Sequence, residues 1–271
     1  MFASEKIRPS VKSYIWGKEI WYEVEGALPI LIKKIEAKEK TSVQVHPNDR
    51  YAFKYENGAL GKSEVWIITK ADENAGVYYG LKQSYEKEEI LEHIENGTLE
   101  NILKFYTVKA GDVFYIKAGV IHAMGAGIEF LEVQQNSNIT YRMYDYNRVE
   151  ADGKGRELHT KKALDVLFCH YVDEPTKQNL VDISDKTKSR IVCLEEEFIV
   201  KEYVTEEELE MYLDDAPFVI VNFLLGSGEI FFGGEWQKFN EGDAFCVSSK
   251  EISYKINPKE KSHIVVSKQN N

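Results

Sequence analysis

The sequence predicts a mainly β protein, and three observations carry that prediction. Short alternating runs recur along most of the chain: "PILIKKIEA", "SEVWIITKA", "AGVYYGLK", "GDVFYIKAG", "IEFLEVQQN", "TYRMYDYNR", "FVIVNFLLG", "GEIFFGG" and "DAFCVSSK". Bounded by Gly, Asn and Asp, they are spaced for an antiparallel sandwich or barrel. Aromatic residues are plentiful, 16 Tyr and 13 Phe, and suit strand faces and barrel cores without needing a ligand. A Gly-Asp pair opens a strand in each half, in "AGDVFYIKAG" (Ala110 to Gly119) and "EGDAFCVSSK" (Glu241 to Lys250). That similarity suggests two related β-barrels, the second stripped of the histidine that follows in the first.

In chain order, "SVQVHPNDRYA" (Ser42 to Ala52) begins as a strand with Val43 and Val45 on one face and Ser42, Gln44 and His46 on the other. Pro47 stops its pairing. In "GKSEVW", Lys62 and Glu64 share a face opposite Val65. "SYEKEEILEHIENGTLENILKFY" is a helical insertion over about 84–106, with Ile90, Leu91, Ile94, Leu99, Ile102 and Leu103 at helical spacings and Asn96-Gly97 as a break between two helices. "TKKALDV" reads as a short helix, and the acidic "EEEFIVKEYVTEEELEMYLDDA" as a solvated face with a surface loop. The region from about Glu150 to Arg190 is rich in charge and poor in strands, which sets the expected domains at 1–165, with the insertion, and 166–271.

The chain has 271 residues, 43% hydrophobic and 29% charged, the profile of a globular protein with no bilayer-spanning run. Its N-terminus lacks the pattern of a secretory signal, which predicts a cytoplasmic location. Cys169, Cys193 and Cys246 are widely spaced, without a CxxC pair, and read as reduced, mostly buried thiols. A net charge of −11 argues against a nucleic-acid partner. An anionic small molecule would need a local pocket of Lys and Arg.

Of six histidines, His46 and His122 stand at strand ends beside glycine or proline turns. Glu64 shares the polar side of its strand, and a carboxylate turned into a barrel would cost several kcal/mol unless a metal or another cation compensated it. "GDVFYIKAGVIHAMGAG" matches the second cupin motif, G, five residues, P, any residue, G, two residues, H, through Gly111, Gly119 and His122, with Lys117 in place of the proline.

Taken with "SVQVHPNDRYA", "GKSEVW", "AGVIHAMGAGIEFLEVQQNSNITYRMYDYNR", "ELHTKKALDV" and Trp16-Gly17, the chain resembles the type I mannose-6-phosphate isomerases of the short bacterial form, most densely from Pro29 to Val166. The resemblance implies a double cupin of two antiparallel barrels, only the first with metal ligands. It implies one zinc ion per chain held by Gln44, His46, Glu64 and His122, and interconversion of mannose 6-phosphate and fructose 6-phosphate. It also implies an active-site Arg142 and a substrate pocket with Lys62 and Ser42. Asn48, Ser63 and Lys117 depart from the family pattern without touching a ligand position.

Two histidines and a carboxylate suit a catalytic zinc site with open positions, and they also suit iron. In the isomerase reading the metal stabilises an enediolate as negative charge reaches O1 and O2. Lys62 and Glu132 are the candidate proton-transfer groups by strand face, and Glu132 is alternatively a partner that orients a ligand. The expected partner is a small sugar phosphate, with no membrane and no nucleic acid. Two other readings compete: an iron-dependent cupin oxygenase, and a double cupin that binds a sugar phosphate without turnover.

Overall fold

The computed structural model describes residues 3–26, 28–149, 153–175 and 178–270. Among these residues the alternating runs pair into antiparallel sheets of seven, six, five and four strands, a double cupin. Two compact units result, one of Val11–Ile20 with Lys33–Thr176, the other of Met1–Ser10, Trp21–Ile32 and Lys177–Asn271. The units thus part later than residue 165, and N-terminal segments count with the second. Strand Glu5–Ile7 shows why, since it pairs with Ala244–Ser248, and composition read along the chain carries no trace of so distant a partner.

The unit containing Lys33–Thr176 is built on a five-stranded sheet and most of a six-stranded one. In spatial order the five-stranded sheet runs Tyr141–Tyr144, Val43–Val45, His122–Met124, Gly76–Leu81 and Leu103–Thr107. The six-stranded one runs Ser10–Tyr14, Gly17–Tyr22, Ile30–Ala37, Ile128–Gln135, Glu64–Ala71 and Val113–Ile116. Side chains alternate between faces, so each sheet sends every second residue into the space between them. Ile35, Trp66, Ile68 and Phe130 of one sheet meet Val77, Tyr79 and Met124 of the other in a buried cluster. Val43, Val45, Ala123 and Met143 take the opposite face of the five-stranded sheet, beneath Ile90 and Ile94 of helix Lys87–Glu95 and Ala163 of helix Thr160–Val166.

The insertion differs from expectation in its second half. Helix Lys87–Glu95 is fixed at its start by a capping box, with Glu86 N–H donating to Glu89 Oε2 at 2.8 Å, and Gly97 follows its end at φ +66°. The expected second helix is a single 3-10 turn, Leu99–Ile102, after which Leu103–Thr107 pairs with Gly76–Leu81. Leu99, Ile102 and Leu103 fit a helical period, but Phe105 and Tyr106 suit a strand, and sheet pairing wins. An unexpected helix, Asp49–Tyr55, starts just after Pro47, where the Asn48 side chain accepts the Tyr51 N–H at 2.9 Å.

The second unit is built on the seven- and four-stranded sheets. Val219, Val221, Phe223, Phe245 and Ile264 face Ile230, Phe239, Tyr254 and Ile256 across its core. The acidic stretch, expected as a solvated face with a surface loop, carries strands Phe198–Thr205 and Leu209–Tyr212. Glu206, Glu208 and Glu210 are exposed while Phe198 and Val200 are buried, so the acids mark the wet edge of a sheet. All three cysteines are free thiols, Cys193 and Cys246 buried and Cys169 half-buried. No helix among the described residues is long and apolar enough to cross a membrane.

Candidate metal centre

Four strands of the first unit change character along their inward-facing positions. Ile68 and Trp66 lead to Glu64, Phe130 leads to Glu132 and Gln134, Met124 leads to His122, and Ile35 leads to Lys33. Cross-strand register aligns these switches, with Glu64 opposite Gln134, Trp66 opposite Glu132, His122 opposite Gln44, and Gln44 opposite Arg142. The space between the sheets is therefore lined by apolar side chains at one end and by densely polar ones at the other. Gly61 brings Lys62 and Glu64 close to His46: a Cβ there would lie 2.5 Å from the Asn48 and Asp49 backbone, and Lys62 N–H donates to Pro47 O at 3.0 Å.

His46, Glu64 and His122 are 1%, 0% and 0% exposed, and their donor atoms all lie within 4.8 Å of one another. Each imidazole donates from Nδ1 to a main-chain carbonyl, His46 to Ile139 at 2.8 Å and His122 to Val120 at 2.9 Å. That fixes both tautomers with a bare Nε2 turned toward Glu64. His122 Nε2 is 3.3 Å from Glu64 Oε1, and His46 Nε2 is 3.8 Å from Oε2. Neither Glu64 oxygen nor His122 Nε2 makes a hydrogen bond. Three electron-rich atoms converge without a proton between them, an arrangement a cation resolves. Tetrahedral ligands at about 2.0–2.2 Å from a metal stand roughly 3.3–3.6 Å apart, close to the spacings here. The group can hold a metal ion, and among the described residues it is the one His, Cys, Asp and Glu cluster with that geometry.

The lysines complete the charge pattern. Lys62 Nζ lies 2.6 Å from Glu64 Oε2, outside hydrogen-bond direction, and donates to His46 Nε2 at 3.3 Å. Burial works against its charge, but Glu64 and Glu132 outweigh burial and raise its pKa above the ordinary lysine value. Burial likewise opposes the Glu64 charge, and the Lys62 ammonium overcomes it, holding the carboxyl well below its usual range. His46 is pushed well below its ordinary value, first by burial and then by Lys62, which keeps it neutral and able to ligate. Glu132 moves the other way, raised by burial and by Glu64 despite Lys62 and Lys33.

The structure brings Arg142 and Ser42 to this polar end as well. Arg142 Nε donates to Ser42 Oγ at 3.3 Å and Nη1 to the Glu157 carbonyl at 2.8 Å. Asp145 and Asp49, conceivable salt-bridge partners for Arg142, are engaged elsewhere: Asp145 by Arg148 and Arg156, Asp49 by Gly61 N–H and Gln135. Glu132 Oε2 accepts the Trp66 indole N–H at 3.0 Å, and its Oε1 makes no hydrogen bond. Gln44 is half-buried on the strand face that His122 and Arg142 share. Lys117, in the cupin proline position, is exposed.

Sequence reasoning missed Lys33, which is buried 3.6 Å from Glu132 Oε1 and bonded to Asn138 Oδ1 at 3.4 Å. Burial lowers its pKa, against the pull of Glu132. The signal was present, since Lys33 has the same strand phase as the apolar Leu31, Ile35 and Ala37. His159 was also missed. It accepts the Arg142 backbone N–H at Nδ1, 3.2 Å, and donates its own N–H to Arg142 O at 2.8 Å.

A double cupin with a buried two-histidine, one-carboxylate group in one barrel is the class defined by this fold and site. No protein-family model matches the chain. The mannose-6-phosphate isomerase ManA of Bacillus subtilis strain 168 is 38% identical over 85% of this chain and 73% of its own length. The mannose-6-phosphate isomerase of Streptococcus mutans is 37% identical over 80% and 67%. A crystal structure of the mannose 6-phosphate isomerase from Bacillus subtilis superposes with a TM-score of 0.88 at 29% identity, covering 98% of this chain and 99% of that one. The chain belongs to the mannose-6-phosphate isomerase family.

Proposed function

We propose that the protein interconverts mannose 6-phosphate and fructose 6-phosphate, with one zinc ion held by His46, Glu64, His122 and Gln44. The observation that carries this reading is the converging set of unbonded Glu64 and His122 atoms beside two fixed cations, Lys62 and Arg142. When bound, the metal supplies Lewis-acid stabilisation to the negative charge that the reaction places on O1 and O2 of the sugar. The names of the relatives support the substrate.

Aldose and ketose differ by one proton moved between C2 and C1, with a compensating proton between the two oxygens. Glu132 is the group we assign to the carbon proton. Its Oε2 is anchored by the Trp66 indole, and its Oε1 has no hydrogen bond to break before accepting a proton. Lys62, held as an ammonium, is a donor and a fixed charge that steadies the oxygens as they become anionic. Ser42 holds the Arg142 guanidinium at the polar end of the barrel, where it binds substrate oxygens. An anionic sugar phosphate suits this local concentration of cations despite the net charge of −11. We place the reaction in the cytoplasm, where free thiols such as Cys169 persist.

The test is a coupled assay of mannose 6-phosphate turnover before and after chelation, with zinc added back. Activity is expected to vanish with the metal and return with zinc. A zinc-loaded protein that fails to turn over mannose 6-phosphate would overturn the reading.

A further inference from the structure

The segment that follows Arg142 folds in a way that Tyr146 disfavours. Tyr146 and Asn147 sit at φ 58° and 55°, consecutive left-handed conformations without a glycine. Side chains with a Cβ resist that region, bulky aromatic ones especially, and strain of this kind persists only where neighbours enforce it. Asp145 opens this turn, its carbonyl accepting the Arg148 N–H at 3.1 Å. Its buried carboxylate receives two arginines from the same segment: Arg156 donates from Nε to Oδ2 at 2.8 Å and from Nη2 to Oδ1 at 2.5 Å, and Arg148 donates from Nη2 to Oδ1. Arg148 reaches on to the Lys40 carbonyl at 2.5 Å. A bridge between Val149 and Gly155 closes the segment between the two arginines.

The two ends of this clamp lead back to Arg142. Arg142 lies in the strand just before Asp145, and the chain just after Arg156 supplies the Glu157 carbonyl to its guanidinium and His159 to both of its backbone polar groups. Burial alone would raise the Asp145 pKa, but Arg156 and Arg148 hold it below the usual carboxylate range, so the clamp stays charged wherever a carboxylate normally is.

We infer that Asp145 is a positioning residue for Arg142: by holding Arg148 and Arg156 it fixes the segment whose Glu157 carbonyl and His159 imidazole aim the Arg142 guanidinium. The inference rests on the substrate-binding role proposed for Arg142 but is testable apart from it. Asp145 does not contact the His46, Glu64 and His122 group, so it governs aim and leaves metal retention alone.

Two measurements on the metal-loaded, full-length protein decide the matter. In proton-nitrogen NMR spectra the Arg142 Nε–H, assigned through Arg142→Lys, is expected as a resolved signal in the parent and a shifted or broadened one in Asp145→Asn, whether or not the protein turns over the sugar. In the coupled assay Asp145→Asn is expected to lower kcat by roughly a hundredfold, the scale of an ångström misplacement of a catalytic group, with metal content unchanged. Added to Arg142→Lys, Asp145→Asn is expected to cost almost nothing more, because both act through one guanidinium. Should Asp145→Asn fail to fold, Arg156→Lys, which keeps charge but loses the two-point grip, carries the same tests. An unchanged Arg142 signal, or a loss of kcat equally large in the parent and in the Arg142→Lys background, would overturn the inference. A parent protein inactive with zinc would refute the proposed function, and the NMR result would still decide the positioning.

Discussion

Glu64 and Glu202 are both buried in β-sheets, and their surroundings differ in one respect. Glu202, on strand Phe198–Thr205 of the second unit, is bonded by Arg190 on one neighbouring strand and His263 on the other. Glu64 has a lysine at ion-pair distance and the His46 and His122 Nε2 atoms near it, the first of them accepting from that lysine, yet neither of its oxygens makes a hydrogen bond. A buried carboxylate with directed donors on both sides is a structural cross-link, whereas one facing other acceptors is poised to take a cation. The interiors repeat the contrast. The second unit's core is filled by Phe223, Phe239, Phe245 and Tyr254, and Ser253 stands at the offset from Gly242 that His122 has from Gly111.

The sharpest way to break that contrast is to treat both carboxylates alike. Glu64→Ala or His122→Ala is expected to lose bound metal and all measurable turnover, read by elemental analysis of the purified protein and by the coupled assay. Glu202→Gln should retain both. Equal metal content in the two variants would show that Glu64 is no more a ligand than Glu202. Next in size, Arg142→Lys is expected to keep the metal and lower kcat by roughly a hundredfold to a thousandfold, the loss typical when one fixed donor to a developing oxyanion is removed. Loss of metal in Arg142→Lys would instead assign the arginine to the metal centre's support.

Much of this centre was legible in the sequence because strand periodicity is a strict rule. Once Val43 and Val45 are assigned to one face, His46 and Gln44 must take the other, and the structure puts the valines beneath two helices. Spacing after Gly111 singled out His122, and the phase of "GKSEVW" put Lys62 and Glu64 together. Other features depended on distance. Nothing local says that Leu103–Thr107 will leave the helical register for a sheet edge or that Glu5–Ile7 will pair near Cys246, whereas the Asn48 cap, bonded three residues on, was a local signal left unread. Lys33 was readable but unread, because a lysine within an apolar strand looks like an edge until its neighbours are known to be buried on both faces. The acidic stretch after Cys193 misled for the opposite reason, its charge density hiding the alternation of Phe198, Val200 and Glu202.

Truncating the aromatic core of the second unit separates stability from chemistry. Phe239 is buried and stacked on Phe223 with ring centroids 3.7 Å apart. Phe239→Ala is expected to lower unfolding stability by about 3–5 kcal/mol, measured by denaturant titration. Molecules that remain folded should keep full metal content and unchanged kcat. A fall in kcat per folded molecule would show that the second unit's core shapes the metal centre, and the contrast between the two interiors would then be one of degree.

The smallest effect concerns Glu202 itself and is distinguished by its pH dependence. Burial alone would raise its pKa, but His263 and Arg190 depress it below 4.5 in the folded protein. The unfolded carboxyl therefore takes up protons at a higher pH than the folded one. Its contribution is fully present above pH 4.5 and is lost as pH falls through the lower folded value. Glu202→Gln, which keeps the shape and removes the charge, should reduce stability by about 1.5–3 kcal/mol near neutrality, the worth of hydrogen bonds to a charged group. The gap between parent and variant should then narrow as acid is added, because the parent alone loses a charged cross-link. Urea midpoints collected from neutral pH downward would show this convergence. A gap that stays constant through the acid range would mean that the carboxylate draws no stability from its ionised form, and Glu202 would no longer stand as the satisfied counterpart of Glu64.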